Sequence, residues 1–394
     1  MGTPINGKYD VVVIGAGFSG AVIAERFASQ CNKKVLVLEQ RDHVGGNCFD
    51  YKNQFGVVVH KYGPHLFHTN KKEVWDYLSL FTKWHRYEHE VLASIDGQLV
   101  PLPFNLNTLY LLYPEEKAKT IERLLVQHYG YGGKVAILDL KETKEPLLKE
   151  LATLVYEKFF VNYTTKQWGC SPKQISPAVT ARVPVVISHD NRYFHDSYQA
   201  IPVNGYTKVF ERILSHPNIS VKLGFDGIGL FEFDESTSTI KISDNEFEGR
   251  LIFTGMLDQL FGYRFGELPY RSLKFDFETL AQKQFQPNTT VNYPNEHQFT
   301  RITEFKHILP VESDHTTIVR EYPQDYDRLD ATKNVPYYPV FNEGNQTKHQ
   351  AYAALANKFK KLTYIGRLAD YKYFNMDDAI ANALTTFRKI SNVF

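Results

Sequence analysis

Gly15-x-Gly17-x-x-Gly20 is the first spacing in the chain that can do chemistry. It lies between an apolar run at 9–14 (YDVVVI) and a stretch of helical period at 21–30. In that context Gly15 permits a tight turn, Gly17 lets backbone approach a pyrophosphate, and Gly20 lets the helix pack close on the strand. The helix N-terminus then favours the anion. Glu39 follows nineteen residues after Gly20, closing a second apolar run at 34–38 (KVLVL). A carboxylate there can take ribose hydroxyls. A ligand-free glycine turn would need neither the acid nor the flanking elements, so a dinucleotide is expected. NAD and FAD both remain open on these residues alone. The histidines offer less. His65 and His68 lie close together, but no Cys or carboxylate completes a ligand set. His85 and His89 are spaced i, i+4 without the surrounding H-E-x-x-H pattern. No metal is expected, and neither a G-x-S-x-G elbow nor a Cys nucleophile motif is visible.

These residues need a scaffold. A buried parallel strand at 9–14, a helix and a second strand at 34–38 imply a parallel sheet with crossover helices. From 71 to 160 the pattern is mostly helical: Val74, Tyr77, Leu78 and Phe81 share a face, and 114–130 has a Pro-Glu-Glu start and a Gly stop. A long helix is expected at 143–160, where Leu147, Leu148, Leu151, Leu154, Val155 and Phe159 repeat. A hairpin at 91–101, turning at Asp96-Gly97, interrupts this region. Residues 163–184 read as a loop. A helix at 205–215 and strand-like segments from 219 to 322 follow, then a helix near 347–361, a strand at 362–366 and a helix at 376–390. A terminal strand and helix usually rejoin the N-terminal sheet. The expected fold class is therefore α/β, with a discontinuous Rossmann-like domain formed by 1–79, 204–256 and 351–394. A helical-bundle insert takes 80–180, and an antiparallel β-sheet domain takes 181–203 and 257–350.

Composition sets the outer limits. The chain has 394 residues, enough for two or three domains. Its net charge of +1 argues against a general nucleic-acid binder. The three cysteines, Cys31, Cys48 and Cys170, are odd in number and far apart, so they imply no disulfide framework. No apolar stretch approaches the roughly 20 residues of a membrane span, and residues 1–10 lack a signal-like apolar segment. A soluble, cytoplasmic protein is expected. The aromatic content of 14% is high, and such rings either fill cores or stack on bases and flavins.

Two resemblances narrow the reading. Glu39-Gln40-Arg41-Asp42-His43-Val44-Gly45-Gly46 resembles the E-x-R-x-x-x-G-G stretch of oxidase-like flavoproteins, which favours FAD over NAD. More specifically, KYGPHLFHT (61–69), NYTTKQWG (162–169), ARVP (181–184), RYFHDSYQAIPVNGYT (192–207), YRSLKF (270–275), Tyr322-Pro323 and GRLADYKYFNM (366–376) resemble the bacterial UDP-galactopyranose mutases. The likeness runs in order over nearly the whole chain. It implies an isomerase that interconverts UDP-galactopyranose and UDP-galactofuranose for cell-surface glycan synthesis. FAD is required in its reduced form, so an electron donor is a partner. The implied mechanism is attack of flavin N5 on the anomeric carbon. A homodimer is a family expectation.

The resemblance also assigns residues. Arg182 and Arg301 match the arginines that grip the diphosphate, as permanent charges with forked donors can. His68 matches a histidine beside the flavin. Tyr163 is expected on uracil, with Phe159 one turn before it. Trp168 lies in a substrate loop expected to be mobile. Tyr193, Tyr322 and Tyr373 match tyrosines near the diphosphate, and Asn292 a residue near the nucleotide sugar. Gly15, Gly17, Phe18, Ser19 and Gly20 are expected around the FAD, as are Glu39, Gln40, Arg41, Gly46 and Asn47. His65, Gly366, Arg367, Asn375 and Met376 are expected to complete that site, Asn375 also touching substrate. Two positions depart from the family pattern: many members carry Asp where this chain has Asn375, and Thr-Gly-Pro where it has Thr254-Gly255-Met256. The sugar therefore stays open, since relatives act on UDP-N-acetylgalactosamine or dTDP-fucose. An amine-oxidase-like FAD oxidoreductase is the other enzyme class that fits.

Overall fold

The computed structural model describes residues 5, 8–169, 184–330 and 335–392, apart from the side chain of Trp168. Among these residues a five-stranded sheet runs in the order Ile219–Lys222, Val35–Leu38, Val11–Ile14, Arg250–Phe253, Leu362–Tyr364, every pair parallel. Continuous apolar strands suit this position because both faces are covered. Val11, Val13, Val35 and Val37 point to one face, against helices Phe18–Cys31 and Met376–Ser391, where Phe27 meets Phe387 edge-on at 5.1 Å. Val12, Ile14, Leu36 and Leu38 point to the other, against Tyr352, Leu355 and Phe359 in and just beyond helix Glu343–Ala356. Each such fully buried side chain contributes about 1.5–3 kcal/mol. The terminal strand and helix thus return to the N-terminal sheet as the order of elements implies.

The helical insert packs around Leu109, Ile121, Leu125, Leu148 and Leu151. Its helices include Leu106–Leu112, capped by the Asn105 side chain, Glu115–Tyr129 and Pro146–Val155. The long helix expected at 143–160 instead begins at Pro146, widens into a π-helical turn at Tyr156–Val161 and continues as Asn162–Trp168. The expected loop thus starts later than 163, because Thr164 is buried and the polar Thr and Lys residues continue the helix. Residues 170–183 lie outside the described set.

The second sheet has seven described strands: Tyr338–Pro339, Tyr270–Leu280, Thr316–Asp325, Arg301–Glu304, Thr290–Asn292, Val91–Ile95 and Gln98–Leu102. It corrects the expected organisation in two ways. The Asp96-Gly97 hairpin forms, both turn residues having positive φ, but it joins this sheet rather than the helices. Its junction, Val91–Ile95 against Thr290–Asn292, is parallel, so the sheet is mixed rather than purely antiparallel. In addition, Pro184–Val186 pairs with Lys134–Ala136 of the helical insert, and Tyr198–Pro202 lies between Phe67–Thr69 and Trp84–Arg86 in a separate sheet. Strand partners far away in sequence decide these pairings, and no local pattern records them.

Candidate active site

The glycine-rich turn is built as its spacing requires. Gly15 has φ 104°, and a Cβ there would lie 2.0 Å from Thr254 Oγ1. A Cβ on Gly20 would lie 2.0 Å from the Gly15 carbonyl, so this glycine sets the strand-to-helix approach. Gly17 faces Gly46, whose Cβ would come within 3.2 Å of the Gly17 Cα. Helix Phe18–Cys31 begins without a side-chain cap, leaving its first N–H groups for an anion. They open on a cavity of about 230 Å³ lined by Gly15, Gly17, Phe18, Ser19, Glu39, Gln40, Arg41, Gly46 and Asn47. Gly366 also lines it, its missing Cβ leaving room for Ser19. The Glu39 carboxylate accepts the Ala16 and Arg41 backbone N–H groups at 2.8 and 3.0 Å, which fixes it at the strand end. Arg41 donates to Asn47 Oδ1 at 2.9 Å and lies over the Tyr62 ring, while its Nη1 is buried without a partner among the described residues. An unsatisfied buried guanidinium nitrogen beside an uncapped helix fits a bound phosphate. The residues present therefore fit a dinucleotide.

A second cavity, about 270 Å³, adjoins the first. His65, Arg367, Asn375 and Met376 line both. Asn375 caps helix Met376–Ser391 in a reciprocal box with Asp378, which fixes it at the junction. Arg367 is held by the Phe374 and Tyr337 carbonyls and lies beside the rings of Tyr338 and Tyr373, which stack at 5.5 Å. Deeper in, the Arg301 Nε donates to Glu321 Oε1 at 2.7 Å across adjacent strands. Burial opposes the Arg301 charge, but Glu321 outweighs it and holds the guanidinium well above its ordinary pKa. Glu321 balances one of the two lining guanidinium groups, so a net positive charge remains for an anion.

Three histidines line this cavity. His68 donates through Nδ1 to Asp196 at 2.9 Å and stacks on Phe194. Its strand is tied to the last helix through the Thr69 hydroxyl, which donates to Asp377 at 2.8 Å. His65 places Nδ1 on the Gly63 carbonyl at 2.9 Å, and burial pulls its pKa down to about 3. His89 shows the same depression, to about 3, mainly from burial and then from Arg301. Desolvation pushes the Tyr163 phenol up to about 12, leaving it a neutral donor. The Asn292 Oδ1 is buried and has no partner among the described residues, an acceptor ready for a ligand N–H or O–H.

The structure brings together many residues singled out from sequence. Tyr163, Tyr193, Asn292, Arg301, Tyr373, Asn375 and His68 line the second cavity, and His65, Arg367 and Met376 stand at the junction. Two do not line it. Phe159 is buried in the helical core, edge-on to Phe104 at 5.6 Å. Tyr322 packs against Phe299 and lies near Lys274, because strand alternation turns Glu321 into the cavity and its neighbour away. Arg182 and the Trp168 side chain lie outside the described residues. Sequence reasoning missed Glu321, His89, Tyr337, Tyr338 and Phe194, all lining residues. The one available signal for Glu321 was the strand period around Tyr322. His89 stands out in the sequence only as half of an i, i+4 histidine pair. Among the described residues no group of His, Cys, Asp and Glu is placed to hold a metal, and no helix is long and apolar enough to cross a membrane.

The family model described as UDP-galactopyranose mutase matches residues 158–373, and an NAD(P)-binding Rossmann-like domain matches 13–81. The solved structure of a reduced UDP-galactopyranose mutase superposes with a TM-score of 0.72 at 17% identity, covering 98% of this chain and 96% of that one. A putrescine oxidase shares the fold less closely, at 0.56 and 14% identity over 98% of this chain and 99% of that one. In sequence, the UDP-galactopyranose mutase of Mycoplasma genitalium is 34% identical, over 95% of this chain and 92% of its own. The dTDP-fucopyranose mutase of Escherichia coli is also 34% identical, over 95% and 96%. Identity at that level along almost the full length of both chains exceeds what a shared flavoprotein fold carries, and the chain belongs to the UDP-galactopyranose mutase family.

Proposed function

We propose that this chain interconverts UDP-galactopyranose and UDP-galactofuranose, with FAD as its resident cofactor. The observation that carries the reading is the pair of cavities meeting at His65, Arg367, Asn375 and Met376. One has the furniture for a dinucleotide, and the other shares these four residues with it. In this reading the first cavity takes the adenosine diphosphate half of FAD and the junction takes the ring system. When bound and reduced, the flavin supplies an N5 nucleophile for the anomeric carbon. The protein's own work is then to bind, orient and exclude water. Arg301, pre-aligned by Glu321, grips the diphosphate, and Arg182 is its second cation. Tyr163, Tyr193 and Tyr373 pack and donate around the nucleotide end, and Trp168 closes the sugar side. His68, held by Asp196, stays beside the reacting centre. An electron donor keeps the cofactor reduced, the enzyme works as a cytoplasmic homodimer, and its product feeds galactofuranose-containing surface glycans.

The E. coli relative favours a second reading, a dTDP-fucose mutase, because its identity equals that of the Mycoplasma enzyme. Dithionite-reduced protein given UDP-galactofuranose, UDP-N-acetylgalactofuranose and dTDP-fucofuranose in parallel separates the sugars. The first is expected to equilibrate fastest, and preference for another reassigns the substrate. Arg301→Ala is expected to lower turnover by more than about a hundredfold, as loss of a charged contact beside a developing anion can, while the flavin absorbance persists. A near-normal rate would remove Arg301 from the diphosphate site.

A further inference from the structure

Three histidines line the second cavity, and each has its Nδ1 held by the protein, but His89 is held in a particular way. Its Nδ1 lies 2.9 Å from the Tyr87 hydroxyl, and that hydroxyl donates to Thr289 Oγ1 at 2.6 Å. A phenol has one proton. Since Tyr87 donates it to Thr289, its oxygen accepts from His89, which therefore carries its proton on Nδ1. Burial keeps the ring neutral, its pKa drawn down to about 3. The remaining nitrogen, Nε2, carries a lone pair and has no hydrogen-bond partner among the described residues. Thr289 is itself pinned: buried at 4% exposure, its carbonyl accepts from the Glu304 backbone at 2.8 Å and from Gln286 Nε2 at 2.9 Å. Thr289 and His89 enter strands that run side by side, Thr290 opposite Val91, so the sheet register spaces the relay.

We propose that Thr289 and Tyr87 are positioning residues that fix His89 as an acceptor for one sugar hydroxyl, so that the site selects nucleotide sugars bearing that hydroxyl over deoxy analogues. The nucleotide-sugar part rests on the function proposed above, and the relay does not. A locked acceptor cannot turn into a donor to suit a substituent that only accepts. Fluorine is such a substituent, and a buried acceptor left unpaired by it weakens binding by roughly tenfold to a hundredfold.

Two measurements on the flavin-loaded protein test this. The first is the binding of UDP-galactopyranose and its 2-, 3-, 4- and 6-deoxyfluoro analogues by calorimetry. One analogue is expected to bind roughly ten- to a hundredfold more weakly than the parent. Tyr87→Phe and Thr289→Val, made separately so that one folding failure does not decide the matter, are expected to shrink that one ratio and leave the others. An unchanged ratio in the variants, or equal weakening of every analogue, overturns the proposal. The second is the tautomer of His89 by nitrogen-15 NMR at neutral pH, its signals assigned by their loss in His89→Gln. The Nδ1–H form is expected, and an Nε2–H or doubly protonated ring overturns the proposal whether or not any sugar binds. Failure of UDP-galactopyranose itself to bind would count against the proposed function, while the tautomer would still decide the relay.

Discussion

Arg41 shows how one residue divides its work. One nitrogen holds Asn47, the guanidinium covers Tyr62, and Nη1 is left buried and unpaired among the described residues. A hydrogen bond to a charged group is worth about 1.5–3 kcal/mol. Arg41→Met is therefore expected to weaken flavin retention by about ten- to a hundredfold, read by dialysis and absorbance. The flavin-free protein should lose only the Asn47 hydrogen bond and the contact with Tyr62, about 1–3 kcal/mol by denaturant unfolding. His60 belongs to the same scale. It is buried, its Nδ1 accepts the His65 backbone N–H at 2.9 Å, and desolvation brings its pKa down to about 3. With a folded pKa below the unfolded value of about 6.5, the unfolded chain binds more protons in that window. Stability therefore falls on acidification from pH 6.5 towards 3, by about 2 kcal/mol per such histidine at pH 5. His60→Asn keeps an acceptor for His65 and removes the titration. Denaturant unfolding at pH 7 and pH 5 should show a smaller acid loss in the variant, and an equal loss would exonerate His60. Residues of this kind were only partly legible in the sequence. The Arg301 assignment came from resemblance, but Glu321, which aligns it, became visible only when strand register set the two side by side.

Among the elements, helix Met376–Ser391 does two jobs at one residue. Asn375 caps it and stands where the two cavities meet, whereas Asp378 completes the cap and lines neither. Losing a cap costs about 1 kcal/mol. Asn375→Ala and Asp378→Ala are both expected to lower stability by that order, but only the first should depress turnover and flavin content. Equal turnover in the two would reduce Asn375 to a cap. Elements with local signatures were readable in advance: the apolar parallel strands, the glycine turn with its helix, and the Asp96-Gly97 hairpin. What could not be read was partnership. The hairpin's choice of the large sheet, and the π-helical turn that carries the chain past 160, depend on packing against segments far away in sequence.

At the scale of the whole molecule, the near-zero net charge and the many aromatic residues take on a meaning that composition alone withheld. In the proposed function, anion binding rests on placed guanidinium groups and a helix N-terminus rather than on a basic field. Several of the rings line one cavity, while many others, such as Phe27, Phe104, Phe253 and Phe359, are fully buried core. The fold brings the dinucleotide cavity of the parallel sheet against a second cavity walled by the mixed sheet, so that a cofactor in one can meet a substrate in the other. An oxidase could use the same junction, and the putrescine oxidase fold shows that the scaffold is shared. The two chemistries differ in electron count. The most direct test follows UDP-galactofuranose conversion by stoichiometrically reduced protein without oxygen, monitoring flavin absorbance and product together. The proposed mutase forms many equivalents of UDP-galactopyranose while the flavin stays reduced, and the oxidised protein forms none. Product formed only as the flavin is reoxidised, or one electron acceptor consumed per turnover, would contradict it.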